Sequence, residues 1–148
     1  SKYSAEQIAV MVNRSVEEVK EIISELEDEN VIAGYKALVD WEKTPKETVT
    51  ALIEVKVTPQ RGEGFDKVAE RIFRYPEVKA CYLMSGGFDL TVILEGKSLK
   101  EVANFVAEKL APLESVLSTS THFVLKKYKD NGTVFEKDYI DNREVVVL

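Results

Sequence analysis

Apolar residues recur along this chain with two different periods, and the switches between them mark its elements. Near the start, Ile8, Met11 and Val12 fall at helical spacing behind Ser4, and Gln7 completes a capping box with that serine. Asn13 and Arg14 predict a short turn. Ser15 and Glu18 form a second capping box. Behind it Val16, Val19, Ile23 and Leu26, with Ile22 beside them, predict a longer helix that Asn30 closes. Two short helices across a tight turn make a helix-turn-helix pattern. Residues 31–39 look extended.

The period then changes to two. Ala51, Ile53, Val55 and Val57 alternate with Leu52, Glu54 and Lys56, as in a strand. A loop over residues 58–64 leads to a helix with Phe65, Val68, Ala69, Ile72 and Phe73 on one face, which Tyr75-Pro76 stops. Residues 78–96 read as two strands about the turn Ser85-Gly86-Gly87. Ser98 and Glu101 start another helix, with Leu99, Val102, Ala103, Val106 and Leu110 on its apolar face and Pro112 at its end. A last strand runs from about Val116 to Lys126. The order β-α-β-β-α-β predicts an α+β fold, a ferredoxin-like antiparallel sheet with two helices on one face. Tyr82, Met84, Phe88, Leu90 and Val92 predict an apolar second face that pairs with another copy of the chain. Asn131-Gly132 turns the tail back, and the apolar residues 145–148 read as docked. The expected layout is a helix-turn-helix over residues 1–40, a polar linker containing Pro45 over 41–48, the sheet domain over 49–130 and a tail over 131–148.

Composition narrows the class. At 148 residues, 45% apolar and 31% charged, the chain holds one ordinary domain or two small globular ones. No apolar run is long enough for a transmembrane helix, and the opening residues lack the pattern of a secretory signal. The lone Cys81 excludes an internal disulfide and fits a reducing compartment, so a cytoplasmic location is expected. The net charge is −6, and residues 1–40 hold nine acids against four bases. The part that looks like a DNA reader is therefore the acidic end of the molecule, although DNA affinity rests on bases that neutralise phosphates.

The candidate chemistry sits at the glycine turn. Bare backbone at Gly86 and Gly87 permits close approach by a small molecule, and Asp89 is placed to hold an ammonium group. The plainer reading of the same residues is an ordinary hairpin turn with a solvated aspartate. His122 is the single histidine, and with Cys81 it is too small a set for a metal site, so no metal or cofactor is assigned. No serine–histidine–acid or cysteine–histidine arrangement is evident, and no enzyme is expected.

Taken together, the motifs resemble those of the Lrp/AsnC family of regulators. Ser15, Val19, Leu26-Glu27, Val31-Ile32, Gly34-Tyr35 and Asp40 follow the family's second helix and exit strand. Met84 to Leu90 match its glycine-x-x-aspartate turn, and Thr121 to Gly132 resemble its last strand. The resemblance implies a transcription regulator with a winged helix-turn-helix, here lacking the family's first helix, and a ferredoxin-like effector-binding domain. It implies homodimers through the sheet domain and higher oligomers such as octamers, with an amino-acid effector bound between subunits. Carried onto this sequence, the effector site comprises Met84, Ser85, Gly86, Gly87 and Asp89, with Thr119 and Thr121 as additions. Arg14, Ser15 and Lys20 are the candidate DNA contacts; taken singly, each also reads as a solvated surface residue. The family's second helix is basic, whereas residues 16–30 here hold seven acids and one base. The alternative reading is an oligomeric metabolite-sensing module whose helix-turn-helix no longer binds DNA.

Overall fold

In the computed structural model, which describes residues 3–58 and 64–135, the two periodicities separate into two units, Ser1–Val39 and Asp40–Leu148. The first unit holds α1 (Ala5–Val12) and α2 (Val16–Asp28). Both start as their sequences predict. The Ser4 hydroxyl accepts from the Gln7 N–H at 3.3 Å, and the Gln7 side chain accepts from the Ser4 N–H at 2.9 Å. Ser15 and Glu18 make the same reciprocal pair at 3.2 and 3.0 Å. Such caps satisfy N–H groups that a helix start leaves open, and each is typically worth about 1 kcal/mol. Asn13 (φ 54°) ends α1 and Asn30 (φ 56°) follows α2, both in the left-handed region that asparagine tolerates. Ala9 and Val19 are buried where the helices pack together. Met11 and Val12, placed on the apolar face by their spacing, are exposed.

Residues 31–39 form no strand, which corrects the expected wing. Extended chain becomes a strand only when a neighbour takes its N–H and C=O groups, and the first unit supplies no such neighbour among its described residues. This segment is instead held to α2: the Ile32 N–H donates to the Leu26 carbonyl at 2.9 Å, and the Tyr35 hydroxyl donates to Glu27 at 2.8 Å.

The second unit opens with a 3-10 turn, Trp41–Lys43, where the Asp40 carboxylate accepts from the Glu42 N–H at 3.2 Å. It continues as β1 (Val49–Val57), α3 (Gly64–Phe73), β2 (Val78–Leu83), β3 (Leu90–Gly96), α4 (Leu99–Phe105) with a π-helical extension (Val106–Leu110), and β4 (Val116–Phe123). The strands form one antiparallel sheet in the order β2-β3-β1-β4, the expected ferredoxin-like arrangement. Ala51, Ile53 and Val55 stand opposite Leu94, Val92 and Leu90. Together with Val57 this row is buried under Val68 and Ile72 of α3 and Val102, Phe105, Val106 and Leu110 of the second helical segment.

Several details differ from the pattern. Phe73 and Leu99 are exposed. Phe73 follows the fully buried Ile72 by one residue, which turns it about 100° away from the core side. Tyr75 fills the gap instead, meeting Phe105 edge-on at 5.3 Å. β4 ends at Phe123 rather than Lys126, because Val124 makes the last bond, to Thr50, next to the start of its partner β1. Beyond it, β5 (Lys129–Asp130) and β6 (Thr133–Val134) form a two-residue hairpin through Asn131 (φ 42°) and Gly132 (φ 79°). Two consecutive positive φ values are what such a turn demands, and Asn-Gly supplies them. The loop residues 59–63 and the apolar residues 145–148, expected to dock, lie outside the described residues.

The second face of the sheet is less apolar than expected. Leu90 and Val92 belong to the buried row, because their partners are Val55 and Ile53. The second face carries Ala80 and Tyr82 on β2, Thr91 and Ile93 on β3, Leu52, Glu54 and Lys56 on β1, and Ser118, Ser120 and His122 on β4.

One ion pair anchors the helical layer to the sheet. The Lys109 ammonium donates to Glu77 at 2.9 Å and lies 5.3 and 5.4 Å from the Tyr75 and Phe105 ring centres. The hydrogen bond from Lys109 holds the Glu77 carboxyl below its ordinary range, and the same bond raises the Lys109 ammonium above its own. A depressed carboxyl stabilises the fold above its unfolded value and loses that contribution as pH falls through its folded value. Glu77→Gln is therefore expected to lower the thermal midpoint at pH 7. The difference from the parent should shrink on acidification through the carboxyl range, as followed by circular dichroism melts across a pH series.

A cleft beside the glycine turn

The hairpin between β2 and β3 closes on a few backbone bonds. Leu83 pairs with Leu90, and the Met84 N–H donates to the Asp89 carbonyl at 2.8 Å. The chain between them is exposed from Met84 to Gly87. Gly86 has φ 129°, a conformation that L-residues rarely adopt, while a Cβ at either Gly86 or Gly87 would meet no atom within 4 Å. The turn thus requires glycine at position 86 for its backbone, and it presents unencumbered main chain at position 87.

Asp89 has a different job from the one its sequence position suggested. Its N–H donates to the Val55 carbonyl at 3.0 Å, and its Oδ2 accepts from the Val57 N–H at 2.8 Å. The half-buried carboxylate ties the turn to the end of β1, so one of its oxygens is already committed within the fold.

Beside the turn is a cleft of about 270 Å³ lined by Glu54, Lys56, Gly87, Phe88, Ser118, Thr119 and Ser120. The expected residues Gly87 and Thr119 are brought together here. Met84, Ser85, Gly86 and Asp89 belong to the adjoining turn without lining the cleft. Thr121 stands opposite Ile53, one step further along the strand and away from it. Sequence reasoning missed Glu54, Lys56, Ser118 and Ser120. Their signal was the polar half of two alternating strands, which marks a face and says nothing about the neighbour across it. The pairing of Glu54 with Ser120 and of Lys56 with Ser118 supplies that neighbour. Near the cleft, His122 Nε2 lies 3.6 Å from Glu54 Oε1 and 3.3 Å from Ser120 Oγ.

A larger hollow of about 370 Å³ lies on the helical side, between the end of β3 and α4. Several of its polar groups are taken up within the fold: Glu77 by Lys109, and Glu101 by the Lys97 N–H at 2.6 Å. One oxygen, Glu77 Oε2, is buried there without a hydrogen-bond partner. The cleft beside the turn is smaller, yet it sets an acid, Glu54, and a base, Lys56, side by side, with His122 within ion-pair range of Glu54.

Residues 50–134 match the family described as the Lrp/AsnC ligand binding domain. Over 147 residues the chain is 55% identical to an uncharacterized HTH-type transcriptional regulator of Bacillus subtilis, YugG, covering 99% of this chain and 89% of that one. The chain belongs to the Lrp/AsnC family. Solved structures share its fold. A feast or famine regulatory protein from M. tuberculosis complexed with L-methionine matches with a TM-score of 0.71 at 18% identity, covering 88% of this chain and 85% of that one. A transcriptional regulator–L-Met complex from Neisseria meningitidis matches with a TM-score of 0.67 at 20% identity, covering 88% and 84%.

The helix-turn-helix of this Lrp/AsnC chain spends its polar groups locally. The Ser15 hydroxyl accepts in the α2 cap, and Lys20 lies 3.8 Å from Glu6 with both side chains largely exposed. Arg14 is exposed in the turn between the helices. The Ser15 N–H holds the Glu18 carboxyl below its ordinary range, which adds a fixed negative charge at the start of α2.

The turn makes two substitutions diagnostic. Gly86→Ala is expected to destabilise the fold by roughly 1–2 kcal/mol through its left-handed φ, while Gly87→Ala leaves stability nearly unchanged. Asp89→Ala strips the Val57 N–H of its acceptor, at a cost of about 1–3 kcal/mol, and Asp89→Asn, which keeps a carbonyl oxygen to accept that bond, avoids most of the loss. Urea unfolding of the four variants checks the ranking.

Proposed function

We propose that this chain is a DNA-binding transcriptional regulator whose sheet domain responds to an amino acid held in the cleft beside the glycine turn. The observation that carries the reading is the cleft itself. Bare main chain at Gly87, an apolar wall at Phe88 and charged and hydroxyl side chains from β1 and β4 converge on a space of small-molecule size. Two structural neighbours are described as complexes with L-methionine, which puts that amino acid first among those to test. Gly86, Ser85 and Met84 shape the turn, Asp89 pins it to the sheet, and Thr119 and Thr121 lie along the neighbouring strand.

In this reading residues 1–40 read DNA, 41–48 form a linker, 49–130 bind the effector and assemble, and 131–148 form a tail. Homodimers form through the second face of the sheet, where Tyr82, Leu52 and Ile93 supply apolar contact among polar neighbours, and dimers assemble further, up to octamers. The effector lies where subunits meet, so its binding shifts their packing and with it the spacing of the DNA readers, a rigid-body switch. The protein acts in the cytoplasm and catalyses no reaction. No helix among the described residues is long and apolar enough to cross a membrane.

A second reading has its own observation. The seven acids of residues 16–30, the pairing of Lys20 with Glu6 and the commitment of Ser15 to its cap leave Arg14 as the main cation at the helix-turn-helix junction. On that basis the unit has lost DNA affinity and the chain is a metabolite-sensing oligomer. Fluorescence anisotropy with a duplex from upstream of the protein's own coding sequence separates the two. The regulator reading expects binding that weakens steeply as salt rises, with Arg14→Ala and Lys20→Ala flattening the slope; no binding at low salt favours the second. Calorimetry with the twenty standard amino acids tests the effector, and silence from all twenty removes it.

A further inference from the structure

Glu54 and Lys56 stand side by side in the cleft, and we propose that they bracket the head group of the bound amino acid, Glu54 taking the α-ammonium and Lys56 the α-carboxylate. The inference rests on the reading of this cleft as the effector site and goes beyond it by assigning the charged contacts.

The two residues are separated by one position on β1, so they share the second face at a spacing of about 7 Å along the strand. An α-amino acid carries its two charges on a single carbon. Lying between two flexible side chains of opposite sign, it meets an opposite charge at each end in one orientation only. The reverse orientation would set carboxylate against carboxylate. Across the ladder, Ser120 faces Glu54 and Ser118 faces Lys56. Each hydroxyl can donate or accept, so either end of the head group finds a second polar neighbour. Gly87 lets the ligand lie against main chain, and Phe88 provides a surface for its side chain.

Availability favours this pair over Asp89, where one oxygen already accepts from Val57. Lys56 is exposed and has no hydrogen-bond or ion-pair partner among the described residues. Glu54 Oε1 has His122 Nε2 at 3.6 Å, within ion-pair range when the imidazole is protonated but beyond hydrogen-bond distance, so its carboxylate can still accept hydrogen bonds. Neither charge is needed to hold the sheet, because the backbone of β1 is paired on both sides.

The test is calorimetry on the full chain. The twenty standard amino acids identify a binder, and the parent is then compared with Glu54→Gln and Lys56→Gln, using the binder, its deaminated acid and its decarboxylated amine. Each variant is expected to bind the amino acid about tenfold or more weakly, as loss of a charge-assisted hydrogen bond requires. Glu54→Gln should also shrink the penalty for deamination, and Lys56→Gln the penalty for decarboxylation. Equal binding by the parent and both variants overturns the bracket and leaves the cleft as effector site. Failure of the parent to bind any amino acid overturns both. Thermal melts establish that the variants are folded. If either is not, the analogues on the parent decide: deaminated and decarboxylated forms that bind as tightly as the amino acid refute the assignment.

Discussion

The central strand β1 gives its backbone hydrogen bonds to β3 on one side and β4 on the other, and this double pairing determines which face each residue of the sheet takes. Side chains on a strand alternate strictly, so a slip of one residue would exchange the two faces. The apolar row of Ala51, Ile53, Val55 and Val57 makes such a slip prohibitive, because it would place Glu54 and Lys56 under the helices. Removing one large member of this core, such as Ile53 or Ile72, would cost on the order of 2–5 kcal/mol. Burial of one row is therefore what exposes the other, and the cleft is a consequence of that exposure.

The turn between β2 and β3 is attached to the same strand. Asp89 uses both its N–H and its carboxylate on β1, at Val55 and Val57. A glycine-bearing turn held by one hairpin would move on its own, whereas this one is fixed to the middle of the sheet. The position of the turn is thereby coupled to that of the central strand.

The first unit is organised by local forces to a greater degree. Two reciprocal serine caps and two left-handed asparagines set the limits of α1 and α2, and few residues are deeply buried between them. The carboxylates along α2 lie one turn apart at Glu17, Glu21, Glu25 and Glu29. Like charges at that spacing oppose an isolated helix by a few tenths of a kcal/mol each, about 0.2–0.5. The caps act against that repulsion from the helix start. Charge and fold therefore pull apart here: the shape is that of a DNA reader, while the electrostatics disfavour phosphate.

Much of this was legible in the residues alone. Capping boxes, alternation and the Asn-Gly turn are local signals, governed by neighbours three or four positions away, and they named the helices, the strands and the α+β order. The glycine turn was legible for the same reason, since only Gly86 meets its backbone demand. What stayed hidden depends on a partner distant in sequence. Residues 31–39 had the look of a strand and found nothing to pair with. Leu90 and Val92 were assigned to the wrong face because their orientation is set by Val55 and Ile53, their partners 35 and 39 positions earlier. Asp89 read as a free carboxylate until Val57 claimed it, and Glu54 and Lys56 read as solvent-facing positions until β4 placed Ser118 and Ser120 opposite them. Periodicity and capping are written into short windows of chain, whereas strand register and the company a side chain keeps are settled only when remote segments pack together.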